Sequence, residues 1–280
     1  GPTSHQLTAW AREMLGIQRL GHGGTLDPFA TGLLTMLSGK ATRLTDLVLT
    51  GDKRYIAVLR FGRDIDPDEL QTVIENLTGE IYNVPPLESA VKVRVRTRII
   101  HSFDLIDSEK DTDLVVLSIS CNAGTYIRTL ARDLGLLLST NCELLELHRD
   151  KTGTFVQSDA CTMQQLTDAV FLWKEHEDDR ALRRLIAPVE SILTNLPRIV
   201  VKDGAAGAIS HGAALARPGV VSIDDGIEEG SSVVLQTLKG EAVAIAEARY
   251  NTEKIVSMEN GNIAQPKVVL IKPDIYPQTW

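Results

Sequence analysis

Residues 21–28 read Gly21-His22-Gly23-Gly24-Thr25-Leu26-Asp27-Pro28. Three glycines and a proline within eight positions exclude a regular element, so this is a loop of tight geometry. Asp27 within it has two readings. A loop held between glycines and a proline can fix a carboxylate and aim it into a cleft, but an Asp-Pro pair also starts ordinary turns. A phosphate-cradling loop of the G-x-x-x-x-G-K-[ST] kind is excluded, because the nearest match, Gly32 to Gly39-Lys40-Ala41, has the wrong spacing and no hydroxyl after the lysine. Phosphatases with an aspartyl nucleophile carry a second acid two positions on, where Phe29 stands here.

Before the loop, Thr3 and Gln6 have capping-box spacing, and Leu7, Trp10, Ala11, Met14 and Leu15 recur on one helical face before Gly16. After it, the apolar run Leu33 to Leu37 suits a buried strand and Ala41 to Leu49 a short helix. Arg54 to Phe61 suits a strand with Tyr55, Ala57, Leu59 and Phe61 on one face. Asp66-Pro67 opens a helix carrying Leu70, Val73, Ile74 and Leu77 and closed by Gly79. From Ala90 to His101 the chain alternates, which predicts a strand with Lys92, Arg94, Arg96 and Arg98 on a basic face and Val91, Val93, Val95 and Ile99 on an apolar one.

An acidic turn, Asp107 to Asp113, leads to a return strand, Leu114 to Cys121. A helix is then expected from Gly124 to Leu138, carrying Tyr126, Arg128 and Arg132, and a strand from Leu144 to Arg149. Acidic helices are expected over Met163 to Asp179 and Arg180 to Leu193, until Pro197. Short β-prone runs separated by glycine follow: Ile199 to Lys202, Val220 to Ile223, Ser232 to Leu238, Glu241 to Ala246 and Lys267 to Ile271. Their spacing suggests a small barrel, so the expected domains are 1–195 and 196–280.

The 280 residues, 43% of them hydrophobic, have room for a large and a small core, which excludes intrinsic disorder for most of the chain. No apolar run approaches the roughly 20 residues that span a bilayer, and Gly1 to His5 lacks a secretory pattern. A soluble cytoplasmic protein with no membrane partner is expected, and the missing initiator Met suggests a chain that begins inside a longer one. Cys121, Cys142 and Cys161 are widely spaced and remote from paired histidines, so neither a metal nor a disulfide framework is expected. The charge sum of 29 basic and 37 acidic residues, −8, argues against a nucleic-acid partner on its face. The position of the charge matters more to a polyanion than its total.

Three residues make chemical sense as a set. An arginine such as Arg128 beside the Asp27 carboxylate would hold it ionised, and Tyr55 offers a ring to stack on a planar base. Taken singly, each is more often structural, Arg128 as a surface ion pair and the tyrosine as an amphipathic core edge.

His22-Gly23-Gly24-Thr25-Leu26-Asp27-Pro28, Lys53-Arg54-Tyr55, Pro85-Pro86-Leu87-Glu88-Ser89-Ala90-Val91-Lys92 and Gly124-Thr125-Tyr126-Ile127-Arg128, after Gly1-Pro2-Thr3-Ser4, stand in the order found in the TruB/dyskerin pseudouridine synthases, which this sequence resembles. Ser210-His211-Gly212-Ala213 with Arg217-Pro218-Gly219 is similar to the PUA module of the archaeal and eukaryotic branch, and Val93 to Arg98 follows the dyskerin-type pattern. His148 departs from the family, where many members carry arginine.

The resemblance implies an α+β fold: a mixed, mostly antiparallel central sheet with flanking helices, then the PUA barrel. It implies isomerisation of uridine in tRNA or rRNA without a cofactor, with Asp27 as the essential carboxylate and Arg128 and Tyr55 beside it. Leu147 would be an apolar wall, and His22, Tyr126, Lys92, Arg94, Arg96 and Arg149 would contact RNA. The partners implied are an H/ACA guide RNA and the small protein subunits of that ribonucleoprotein. Guide-independent modification of the tRNA TΨC loop is the alternative within the family. A non-catalytic RNA-binding scaffold is the alternative outside it, and its sequence sign would be loss of Asp27 or Arg128; both are present.

Overall fold

The computed structural model describes residues 1–85, 94–108 and 113–277. Two compact units emerge, one of Gly1–Gly39 with Thr45–Leu185 and the other of Lys40–Leu44 with the chain from Ile186 onward.

The first unit opens with α1 (Ser4–Leu15), which has the expected Thr3–Gln6 capping box and ends at Gly16 in the left-handed conformation. Its fully buried residues are Ser4, Thr8 and Ala11, and Met14 and Leu15 pack with Ala11 in an apolar cluster as expected; the exposed Trp10 is the correction to the stripe read from the sequence. β1 (Leu20–Gly23) and the loop after it present polar groups to α1, and Ser4 and Thr8 satisfy them. The run Leu33 to Leu37 is not one strand. β2 (Thr31–Gly32) ends before it, Leu33 and Leu34 lie between strands, and the rest falls in β3 (Thr35–Ser38), which pairs with β1 in a separate ribbon. Likewise Ala41 to Leu49 is a 3-10 turn, Gly39–Leu44, followed by α2 (Thr45–Thr50).

The central sheet is built from β4 (Lys53–Phe61), β5 (Gly79–Asn83), β6 (Arg96–Ser108), β7 (Leu114–Cys121) and β8 (Cys142–Thr152), in the order β2-β8-β4-β7-β6-β5, with β9 (Phe155–Val156) also on β8. Only β2 pairs parallel, so the sheet is mixed and mostly antiparallel. Its core face is covered by α3 (Pro67–Asn76), capped by Asp66 with proline in its first turn, and by α4 (Ile127–Leu137). Tyr126 caps α4 from outside, one turn later than the sequence placed the helix start. After α5 (Met163–His176), α6 covers only Arg180–Leu185, because Pro188 interrupts the run expected to reach Leu193.

The two-faced strand from Ala90 is also corrected. Lys92, Val91 and Val93 lie outside the described residues, and Arg94 to Ile99 are not buried on either side: Val95 and Ile99 are 65% and 42% exposed. β7 meets β6 only from Ile100 onward, so Arg96–Ile99 pair with β5 alone, and Ile99 stays exposed.

The second unit is a nearly closed six-stranded sheet in the order β11-β15-β14-β13-β10-β12. The strands are β10 (Arg198–Val201), β11 (Leu215–Ala216), β12 (Val220–Ile223), β13 (Ser232–Thr237), β14 (Ala242–Ala248) and β15 (Asn262–Val269). Two helices unforeseen in the sequence, α7 (Asp203–Ser210) and α8 (Thr252–Ser257), pack with it. No helix among the described residues is long and apolar enough to cross a membrane.

Candidate active site

Residues 21–23 belong to β1, which corrects the expectation of a loop throughout 21–28; the remainder, 24–28, is fixed from three sides. Ser4 Oγ accepts from the Leu26 amide at 3.0 Å, Arg149 Nη2 donates to the Gly24 carbonyl at 2.9 Å, and the Asp27 carbonyl accepts from the Ala30 amide at 2.9 Å. Gly23 is obligatory, because a Cβ there would stand 2.4 Å from Val48 Cγ1. The carboxylate of Asp27 is thereby presented half-buried to Arg128, whose Nη2 lies 3.1 Å from Oδ1. Arg128 is aimed by the start of α4: Asn83 Oδ1 accepts from the Tyr126 amide at 2.9 Å, and Thr129 Oγ1 donates to the Val84 carbonyl at 2.7 Å. Asp27 and Arg128 are 101 residues apart, so only the fold brings them together.

A cleft of about 280 Å³ opens over this pair, lined among others by Tyr55, Tyr126, Leu147, Lys53, Leu49 and Arg149. That volume is at the small end for an organic ligand and suits one nucleotide unit, not a helix. Burial pushes the Tyr55 phenol above its ordinary value, with the Arg149 cation opposing in part. Tyr55 is thus a neutral ring at neutral pH, suited to stacking.

The remaining expectations fall in three places. Leu147 is 6% exposed and forms the apolar wall. His22 lies beside the loop and not in the cleft lining: its Nδ1 is 3.2 Å from Thr8 Oγ1, its ring meets His5 edge-on, and burial, then His5 and Arg149, lower its pKa. Arg94, two residues before β6, and Arg96, its first residue, are exposed.

Arg149 departs most from the reading. It is 2% exposed, and its Nε and Nη2 donate to the Leu33 carbonyl at 2.9 and 2.7 Å. It braces the Asp27 loop from below, and at this burial its guanidinium offers almost no surface to an RNA backbone.

Lys53, read only as part of the Lys53-Arg54-Tyr55 motif, carries no expected role of its own. It is 5% exposed, and its Nζ donates to the carbonyls of Val48 at 3.0 Å, of Leu49 at 2.8 Å and of Gly51. These are acceptors left free where α2 ends. Strand parity was the available signal, since Lys53 shares a face with Tyr55, Ala57 and Leu59, as Arg149 does with Leu147.

Residues 12–127 match the N-terminal domain of TruB family pseudouridylate synthases, 128–194 the tRNA pseudouridylate synthase B C-terminal domain, and 197–270 the PUA domain. Proteins named "Probable tRNA pseudouridine synthase B" from Methanopyrus kandleri and Methanosarcina acetivorans are each 41% identical over all 280 residues, which span 82% of either relative. The chain belongs to the TruB family of pseudouridine synthases. Within that family, its similarity to solved structures runs to the archaeal dyskerin-type proteins. A chain in a structure of an H/ACA ribonucleoprotein bound to a substrate RNA containing 2′-deoxyuridine superposes with a TM-score of 0.92 at 33% identity, covering all of this chain and 85% of that one. A chain in a Cbf5-Nop10-Gar1 complex gives 0.92 at 35%, covering 100% and 84%.

Proposed function

We propose that this cleft isomerises uridine to pseudouridine in rRNA and tRNA, and that the protein works in the cytoplasm as the catalytic subunit of a guide-RNA ribonucleoprotein of the H/ACA kind, together with small protein subunits. The observation that carries the chemistry is the Asp27–Arg128 pair at 3.1 Å beside Tyr55 in a cleft of single-nucleotide size. The reaction detaches uracil from C1′, turns it and rejoins it through C5, so it needs a positioned carboxylate and no external reactant. Asp27 is that group, by attack on the sugar or base or by removing a sugar proton. Arg128 orients the carboxylate through a charge-assisted hydrogen bond, Tyr55 stacks on the uracil, and Leu147 and Tyr126 bound it.

A stacked uridine cannot reach Asp27, so it must leave its helix or loop at a cost of a few kcal/mol. Contacts to the phosphates offset that cost; in this reading they come from the exposed Arg94 and Arg96, just before and at the start of β6, and from Lys92, which lies outside the described residues. The C-terminal PUA domain, residues 196–280 in this reading, holds the guide. Support for guide dependence comes from the whole-chain similarity to the ribonucleoprotein structures. The names of the curated relatives favour a second activity, direct modification of tRNA.

The test is incubation of uridine-labelled tRNA and rRNA fragments with the protein, with and without guide RNA and partner subunits, followed by analysis for pseudouridine. Product on rRNA only when guide is added supports the first reading. Product on tRNA without guide supports the second, and none under any condition overturns both.

A further inference from the structure

Lys53 is a buried charge that the reaction as described does not use. It stands two residues from Tyr55 on the same face of β4 and lines the cleft that holds Asp27. Ending α2 does not require it, because a glycine, a backbone turn or an exposed lysine commonly serves there, and burying an ammonium is the costly way to do so. No carboxylate among the described residues bonds it. The acid beside it, Asp52, instead accepts from Asn122 Nδ2 at 3.2 Å and lies 3.1 Å from His101 Nε2. Its other charged neighbour is a second buried cation, Arg149, and burial together with that repulsion lowers Lys53 to about 8. Two positive charges are therefore held under one cleft, an arrangement that an anion in the cleft would relieve.

We propose that the field of the Lys53 ammonium stabilises the uracil anion released when the glycosidic bond breaks. The inference rests on the reading of Asp27 and the cleft given above. In the sugar-centred routes the C1′–N1 bond breaks and its electron pair stays on uracil, spread over N1, O2 and O4. The Asp27 carboxylate meanwhile bonds to C1′ or takes the 2′ proton. After the base has turned, the C5 electron pair forms the C5–C1′ bond, Asp27 leaves or returns its proton to C2′, and the proton on C5 is exchanged for one on N1, so the product is an isomer.

Between cleavage and rejoining the base has no bond to the sugar and presents different atoms as it turns. A hydrogen-bond donor aimed at one atom would lose it during the turn. A point charge whose own donors are engaged by Val48, Leu49 and Gly51 acts at every orientation, and the low dielectric of the cleft lengthens its reach. Lys53 touches no reacting atom in this account and acts as a positioning charge.

The test compares single-turnover rates, with enzyme in excess, on RNA carrying uridine or 5-fluorouridine at the target position. Guide RNA and partner subunits are added as the wild type requires. Fluorine withdraws electrons and makes uracil a better leaving group, and it blocks loss of the C5 proton, so consumption of the fluorouridine reports cleavage. Lys53→Met should slow uridine conversion by about tenfold or more and fluorouridine consumption several-fold less. Lys53→Arg should recover most of the rate. The ratio of the two rates within one preparation does not depend on how much of it is folded. Lys53→Gln, which keeps an N–H for the carbonyls and loses the charge, should show the same ratio. Equal slowing on both substrates, or no slowing, overturns the proposal while leaving the Asp27 reading intact. A wild type inactive on both RNAs overturns the two together.

Discussion

The two ends of β4 face the same side of the same sheet and have opposite fates. At its far end Ala57, Leu59 and Phe61 are at most 1% exposed and pack against Leu70 and Ile74 of α3 and Leu130 and Leu134 of α4. At its near end Lys53 and Tyr55 occupy the same layer, but α4 has not yet begun there, and the Gly124–Tyr126 approach to it leaves a gap. The cleft is thus the hydrophobic core with its cover withdrawn. It tolerates polar groups because each is tied down: Lys53 and Arg149 by carbonyl oxygens, Asp27 by Arg128. One strand therefore supplies stability at one end and chemistry at the other.

That division predicts separable effects. Asp27→Asn should lower the isomerisation rate by roughly 10⁴-fold or more with RNA affinity and melting temperature nearly unchanged; a large loss of stability in a thermal melt would mean that the loop belongs to the core. Phe61→Ala at the other end should cost about 3–5 kcal/mol of unfolding free energy in a denaturant titration. The rate per folded molecule should stay near wild type, and a specific loss of rate would break the contrast.

Lys53 links the two ends. The unfolded chain keeps its proton up to about the ordinary 10.5, the folded chain only up to about 8, so between those values unfolding takes up a proton and stability rises with pH. Relative to Lys53→Met, which lacks this group, the wild type should gain up to about 3 kcal/mol over that window. A difference independent of pH would show that burial does not disfavour this charge. The smallest effect belongs to the exposed start of β6 and the residues just before it: neutralising Arg94 and Arg96 should reduce the salt slope of RNA binding by about two and weaken all RNAs alike. An unchanged slope would remove that segment from the RNA path.

What the sequence disclosed follows from range. The Thr3–Gln6 box, the Asp66-Pro67 helix start and the alternation of β4 depend on neighbours within a few residues, and all three are present in the structure. The motif residues Asp27, Tyr55 and Arg128 were readable by resemblance, although only the fold shows them sharing a cleft.

Arg149 and Lys53 were obscured because each sits in a charged run, His148-Arg149-Asp150 and Asp52-Lys53-Arg54, that reads as solvated surface. The carbonyls that make Arg149 burial possible come from Gly24 and Leu33, more than a hundred residues away. The small helix α7 was missed for a different reason. Its Asp-Gly-Ala-Ala-Gly-Ala-Ile-Ser sequence has the glycine content of a loop, but Gly207 is there because a Cβ would come within 2.5 Å of the Pro277 carbonyl oxygen.

The five residues Lys40–Leu44 group with the second unit, where Lys40 Nζ donates to the Ile271 carbonyl. During synthesis they leave the ribosome well before residue 271 exists, a delay of roughly ten seconds or more at ~5–20 residues per second. The first unit must therefore reach its fold with this segment still waiting. A C-terminal fragment cut at Ile186 would thus lack five residues that belong to its own unit.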